Sequence, residues 1–360
     1  MSKISNLGIP SIDSIKYRIP IKYLEGYDAE LTDHFVTINE STGEIKGDFK
    51  TQSKEYKLEG FSIYASIQKQ VRISLTDYED CLIIGLSSKV LQSRYFEGIT
   101  NQNVGLVYTT IIDAGIMSCT LDMFLSGTPT DVDFKKDYFL ELEPYKDILS
   151  GCAKMTKPSS NRDKGCSVFK QKDNLGISWS VRTTNRAKTN PYLKIYHKGI
   201  ELTFKSNNFR ELYLKGVDVS DVIRIETTVK NKDHFKSLDL GLKDFTLGEL
   251  LELDADAMNK IISTAVNCHL LPRSKVMQFK TDHTITPTNR IHLNSMLGFF
   301  ELELSYDRVF SLMSNGIENK VSKSRFKRTL NDLYLTHVKG TNFDVKVSQI
   351  DSYYDSIGWV

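Results

Sequence analysis

Cysteine is scarce and unpatterned in this 360-residue chain: Cys81, Cys119, Cys152, Cys166 and Cys268 are odd in number, widely spaced and free of any CxxC pair. Neither a disulfide framework nor a zinc ribbon is expected, and reduced thiols in a cytoplasm are. Long apolar runs are missing too. Nothing approaches the ~18 residues that a membrane span needs, and the opening stretch MSKISNLGIPSIDSIKYRIPI lacks the apolar region of a secretory signal. The expectation is a cytoplasmic protein with no membrane partner. There is no Walker loop, no GxSxG and no GxGxxG ahead of a helix, so ATP hydrolysis, serine hydrolysis and dinucleotide chemistry have no support. None of the seven histidines forms an H-x-H pair, and the chain shows neither an internal repeat nor a low-complexity tract.

What is present describes a soluble-type globular chain, with 40% hydrophobic and 26% charged residues. Its length suits two domains or one elaborated domain. The formal charge of +2 hides a segregation: Lys154 to Lys198 holds eleven Lys or Arg against two acids, and KVSKSRFKR (Lys320 to Arg328) holds five basic residues and no acid. The remainder of the chain is therefore acidic by about 12 charges. Positive charge concentrated in this way suits a polyanion; a solvated basic loop without a ligand is the plain alternative.

Period-two apolar patterns in IDSIKYRIPI, KLEGFSIYASI, VRISLT and DCLIIGLSSKV predict a mainly β first hundred residues. VYTTIIDAGIMSCTLDMFLSG places Ile112, Ile116, Cys119 and Met123 at helical spacing, which predicts one amphipathic helix lying across a sheet. A strand in PTDVDFKKDY, a helix in EPYKDILSGCAKM with Pro144 in its first turn, and strands in GISWSVRTT, YLKIYHKG and DVIRIETTVK follow. Beyond Phe235, Thr246 with Glu249 spells a capping box, Asn315-Gly316 a helix stop, and Phe326, Leu330, Leu333 and His337 a helix face. The expected fold is α+β: an antiparallel sheet with packed helices over 1–235, then a mainly helical region over 236–360.

Three of these strands share a pattern. Lys194 and Tyr196, with Lys198, oppose Leu193 and Ile195; Arg224, Glu226 and Thr228 oppose Ile223 and Ile225; Asp131 and Asp133 share a face. As neighbours they would gather a phenol, carboxylates and cations. Phosphodiester cleavage by tyrosine needs that set, since a phenol of pKa near ~10 attacks only with help in losing its proton. The developing phosphate charge also needs Lys, Arg or a metal. Asp133 and Glu226 are hard oxygen ligands for Mg²⁺ or Mn²⁺, with Asp131 competing with Asp133 and Glu201 with Glu226 under another register. Lys198 would steady the transition state. An antiparallel sheet with one wet face produces the same alternation without catalysis. Tyr192, four residues before Tyr196, is read as packing or base-stacking, and His197, on the Leu193 side, as a core residue.

The order of CLIIGLSSKVLQSRYFEGITNQNVG, PTDVDFKKDY, ISWSVRTTNRAKTNPYLKIYHKGIEL, DVIRIETTVK and KVSKSRFKRTLNDLY resembles the replication initiators of filamentous phages over roughly three quarters of the chain. That family carries SPAKVLQG-N, R-I-D, Y-x-K-x-x-E-L and R-x-E segments in the same order, and nicks and rejoins DNA to start rolling-circle replication. The resemblance implies that Tyr196 is the nucleophile, with Lys198 and Glu201 after it, Asp133 as the strand aspartate, Arg224 and Glu226 as the R-x-E pair, and Lys89 as the early lysine. The proline of SPAK is absent here, the segment after it is longer, and Asp131 stands where arginine is expected. The implied protein is a phage or plasmid replication initiator in a bacterial host. It would nick a single-stranded or supercoiled origin, keep the 5′ end on tyrosine, and leave a 3′ hydroxyl for a host polymerase behind a host helicase. Lys89, Arg182, Arg186, Lys188, Lys194, Arg224, Lys323, Arg325, Lys327 and Arg328 are the expected DNA contacts. Trp179, Tyr192 and Phe169 either stack on bases or pack inside. A DNA-binding regulator without catalysis, and an interaction protein with an acidic partner, are the alternatives.

Overall fold

The computed structural model describes residues 4, 6–38, 45–72, 76–154, 166–169, 176–179, 192–270, 286–301, 306–337 and 357. The chain divides into two compact units, one of residues 1–139 and 180–265, the other of residues 140–179 and 266–360. This differs from a single boundary near residue 235. The three helices that follow Lys230, namely α6 (Asn231–Ser237), α7 (Leu247–Leu251) and the part of α8 (Ala255–His269) up to Ala265, belong with the sheet. Their apolar faces need it: Phe134 of the sheet meets Phe235 edge-on at 6.2 Å, Phe235 meets Phe245 at 4.6 Å, and Lys136 donates to Asn259 at 3.0 Å.

The first unit is built on antiparallel strands, as the period-two patterns predict. Seven of them lie in the order β12 (Tyr192–His197), β13 (Val222–Lys230), β9 (Thr128–Phe139), β1 (Pro10–Pro20), β7 (Tyr78–Ser87), β6 (Phe61–Arg72) and β5 (Ser53–Leu58). β3 (Thr32–Ile38) and β4 (Ile45–Thr51) form a separate hairpin, and β2 (Gly26–Tyr27) pairs with β8 (Met117–Ser118). Together these elements make the unit α+β. Where β1 meets β9 the register slips between Ile12 and Ser14, leaving Asp13 as the extra residue of a bulge.

Both sheet faces are covered where β12, β13 and β9 meet. Leu193, Ile195, Ile223, Ile225, Val132 and Phe134 are buried by their apolar character. The opposite face, expected to be wet, lies beneath the irregular 3₁₀ segment Ser88–Glu97 and helices α4 (Lys198–Lys205) and α5 (Asn207–Tyr213). Tyr95, Phe96, Leu202, Phe209 and Leu214 form the core of that cover.

The single helix expected across Val107–Gly127 is instead two. α1 (Val104–Asp113) buries Val104, Val107 and Ile111 and stops at Gly115, whose φ of 68° suits the residue after a helix. Ile116 and Cys119 are buried on either side of β8, and α2 (Leu121–Leu125), capped by Thr120, leaves Met123 exposed. A shared apolar period continued across a break that glycine made. The Thr246/Glu249 capping box forms as expected on α7.

In the second unit α3 (Leu142–Lys154) buries Tyr145, Ile148, Leu149 and Cys152, one face at spacings of three, four and seven. β10 (Cys166–Phe169) and β11 (Gly176–Trp179) pair antiparallel. Trp179 is fully buried and stacks on His269 at 6.3 Å, so it packs and does not present itself to a base. α9 (Pro287–Glu301), α10 (Tyr306–Met313) and α11 (Lys320–His337) share a core of Leu293, Met296, Val309, Phe310, Leu330, Leu333 and Tyr334. Asn315-Gly316 ends α10 as expected, with Gly316 at φ 86°. Among the described residues no helix is long and apolar enough to cross a membrane, and Cys81 and Cys119 are buried free thiols.

Candidate active site

The registers of β12, β13 and β9 set three cross-strand rows on the covered polar face: Tyr196–Arg224–Asp137, Lys194–Glu226–Lys135 and Tyr192–Thr228–Asp133. The expected neighbourhood of phenol, carboxylates and cations therefore exists. Tyr196 is half-buried, and its hydroxyl donates to Glu226 Oε2 at 2.8 Å. Lys194 holds the other oxygen of Glu226. Burial, and next the charge of Glu226, push the Tyr196 phenol well above its ordinary value, with Arg224 pulling the other way. A standing phenolate is excluded at neutral pH, so attack by this oxygen requires a base during the step. Glu226 is positioned to be that base.

Lys198 is not a strand residue. β12 ends at His197, whose buried ring caps α4 by accepting the Ile200 N–H on Nδ1 at 3.2 Å. The core reading of His197 holds, and burial lowers its pKa. Lys198 opens α4, yet its ammonium lies 5.5 Å from the Tyr196 ring centre and 5.4 Å from that of Tyr95, and pairs with Glu201 at 2.7 Å. Burial alone would lower the Lys198 pKa; its surroundings, Glu201 and Asp13 among them, reverse this and keep the cation. Glu201 is likewise penalised by burial, but Lys198 and Lys89 hold its pKa down.

Arg224 is a correction to the expected DNA contacts. It is 0% exposed, with Nε and Nη2 on the two Asp137 oxygens at 2.7 and 3.0 Å, and Nη1 on Asp13 at 2.7 Å and the Tyr95 hydroxyl at 2.9 Å. A guanidinium satisfied in this way cannot reach a ligand. Lys135 is equally enclosed, donating to Asp137 at 2.6 Å and to the Phe96 carbonyl at 2.9 Å; burial drops its pKa to about 8. Lys89, also expected to touch DNA, donates to Ser206 at 2.7 Å, and burial and then Lys198 lower its pKa.

Asp13, Ser88, Tyr95, Lys135 and Asp137 were not singled out from the sequence. Strand parity could have found Lys135 and Asp137, which share the Asp133 face. Asp13 has no such signal, because the bulge turns it to meet Arg224 and the Ser88 hydroxyl, the latter at 2.8 Å.

Asp133 accepts from Ser14 at 2.5 Å and from Thr228. Burial, followed by the charge of Glu226, raises its pKa to about 6 against the pull of those hydroxyls. Asp131, two residues along the same face, lies opposite Lys16 and Lys230. Among the described residues no group of three or more His, Cys, Asp and Glu converges as a metal cage. Mg²⁺ commonly uses only one or two carboxylates, with water and phosphate completing six oxygens. Asp133 and Glu226 supply that number of hard carboxylates, and each of their oxygens already accepts a hydrogen bond that a cation would share or displace.

Tyr192 lies about 13 Å back along the strand from Tyr196, with Lys194 Nζ 5.1 Å from its ring centre. Lys323 is partly exposed and Arg325, Lys327 and Arg328 are exposed, on α11 of the second unit. Arg182, Arg186, Lys188 and most of the basic loop lie outside the described residues, as does the Phe169 side chain.

No family model matches the chain, and no curated protein matches it in sequence. Among solved structures it is similar to one titled "Structure of Rolling Circle Replication Initiator Protein from Geobacillus stearothermophilus", at 10% identity and a TM-score of 0.31, over 78% of this chain and 89% of that one.

Proposed function

We propose that the chain is a replication initiation protein of phage or plasmid type that nicks and rejoins DNA through Tyr196. The observation that carries the reading is the Tyr196–Glu226 hydrogen bond of 2.8 Å, flanked by Lys194 and Lys198. In the proposed step Glu226 takes the phenolic proton while Tyr196 Oη bonds to phosphorus, and the bond from phosphorus to the 3′ oxygen breaks. The 3′ oxygen leaves and takes a proton from solvent water to become the 3′ hydroxyl, and the 5′ phosphate stays on tyrosine. Lys194, the more exposed of the two lysines, offsets charge on the phosphoryl oxygens, the buried Lys198 adds its positive field beside the Tyr196 ring, and the buried Arg224 with Asp13 and Asp137 holds β13, β1 and β9 in place beneath them. Asp133 and Glu226 would hold Mg²⁺ or Mn²⁺, which supplies Lewis-acid polarisation of the phosphate when bound. The released 3′ hydroxyl would serve a host polymerase, and unwinding would fall to a host helicase.

Covalent trapping tests this. Wild-type and Tyr196→Phe proteins are incubated with single-stranded and supercoiled phage or plasmid DNA, with Mg²⁺ or EDTA, and run on a denaturing gel. The expected result is a metal-dependent adduct that the Phe variant loses entirely; an adduct that survives moves the nucleophile elsewhere, Tyr192 first. The burial that raises the Tyr196 pKa favours a second reading, a DNA-binding regulator on the same scaffold. Binding without adduct or nicking, on DNA that the wild type recognises, would select it.

A further inference from the structure

The second unit carries a surface that the Tyr196 chemistry does not use. The buried residues of α11 all lie in its second half, where Leu330, Leu333, Tyr334 and Leu335 join the core formed with α9 and α10; only Phe326 ties down the first half. A turn containing Gly316 leads from α10 into α11, whose start is capped by Asn319 Oδ1 accepting the Val321 and Ser322 N–H groups at 2.9 and 3.1 Å. Apart from Lys323 and Phe326, the residues of the first half, Lys320 to Arg328, are exposed.

Val321, Ser324, Arg325 and Arg328 follow one another at spacings of three, four and seven, so they form one stripe, and all four are exposed. Val321 is 58% exposed despite being aliphatic. Lys320 and Lys327 flank the stripe and are exposed as well, and among the described residues none of these cations forms an ion pair with an acid. A surface that only grips phosphates needs cations and no more. This one puts two arginines, a hydroxyl and an aliphatic group in line, with lysines at the side. Arginine pairs with the guanine edge, the hydroxyl with either hydrogen-bonding edge, and an aliphatic group with the thymine methyl, while lysine meets the backbone. The stripe runs about 10 Å along the helix, which suits a major groove about 12 Å wide.

We infer that the first half of α11 reads duplex DNA in the major groove, with Arg325, Arg328, Ser324 and Val321 on base edges and Lys320 and Lys327 on flanking phosphates. This recognition is independent of nicking at Tyr196.

The test uses the full chain and a pool of 30-base-pair duplexes with a randomised centre, through rounds of binding and recovery at fixed salt. Wild type should enrich a motif. Arg325→Ala and Arg328→Ala should each lose preference at particular base pairs, with affinity for the enriched duplex falling about tenfold to a hundredfold. Lys320→Ala and Lys327→Ala should weaken all duplexes alike and each reduce the salt slope by about 0.9. Circular dichroism should be unchanged in all four, since the residues are exposed. No enriched motif, a motif indifferent to both arginine variants, or equal retention on phosphatidylserine vesicles or an acidic polypeptide would overturn the inference. Tyr196→Phe should keep the motif, so loss of nicking and loss of reading are separate results.

Discussion

Arg224 and Arg325 are the same residue type in opposite settings. The first sits at 0% exposure between Asp13 and Asp137, and the second projects from a capped helix with no acid paired to it among the described residues. A buried cation is held by the carboxylates that neutralise it and becomes part of the scaffold. An exposed, unpaired one keeps its donors for something else. Counting basic residues along the chain treats the two alike, and their surroundings separate them.

The largest contrast should come from removing each charge. Arg224→Met should cost about 3–5 kcal/mol in urea unfolding, because Asp13 and Asp137 would be left buried without a cation. Arg325→Met should stay within about 0.5 kcal/mol. Equal losses would break the distinction between scaffold and surface.

Backbone approach gives the next contrast. A Cβ at Gly199, in the first turn of α4, would overlap the Val219 carbonyl oxygen, whereas one at Gly316, ahead of α11, meets nothing within 4 Å. Gly199→Ala should therefore destabilise by up to about 3 kcal/mol through overpacking. Gly316→Ala should lose about 1 kcal/mol from its left-handed backbone alone. Thermal unfolding of the two variants would show whether the cover over Tyr196 is as tightly built as its packing indicates.

The smallest effect is a pH dependence confined to the first unit. The Asp133 pKa is raised to about 6, so the folded state holds this proton more tightly than the unfolded chain. Its contribution is fully present below about pH 4 and is lost as pH rises through 6. Wild type should therefore gain about 1 kcal/mol from Asp133 between pH 7 and pH 5, and Asp133→Asn should lack that gain in a urea titration at each pH. Asp13 and Asp137 run the other way. Burial raises each pKa, Arg224 together with Lys135 and the hydrogen bonds each carboxylate accepts outweighs it, and their stabilisation persists until pH falls below the usual carboxylate range.

Much of the candidate site could be read directly. Alternation put Tyr196, Lys194, Arg224, Glu226 and Asp133 on matching strand faces, and the registers bring those faces together. His197 was read as core from parity, and the Thr246 box and the Phe326–Leu330–Leu333 face formed as the spacing predicts. Other features had no local signal. Period two does not mark where β12 stops, so parity alone makes Lys198 a strand residue although a His197 cap starts a helix there. Asp13 reaches Arg224, 211 residues away, only because a bulge redirects it. Trp179, placed among cations by its neighbours in sequence, was drawn inside by α8's His269.

By itself the sequence determined the strand faces, the helix caps and the segregation of positive charge, because these depend on residue type and short-range spacing. Tertiary structure alone decided that the polar sheet face would be roofed by Ser88–Glu97 and α4, that Arg224 would be enclosed and Arg325 left free, and that Tyr196 would meet Glu226. Those outcomes depend on which distant segments pack over a given face. A charge's surroundings, and with them its pKa and its freedom to bind, come from that packing.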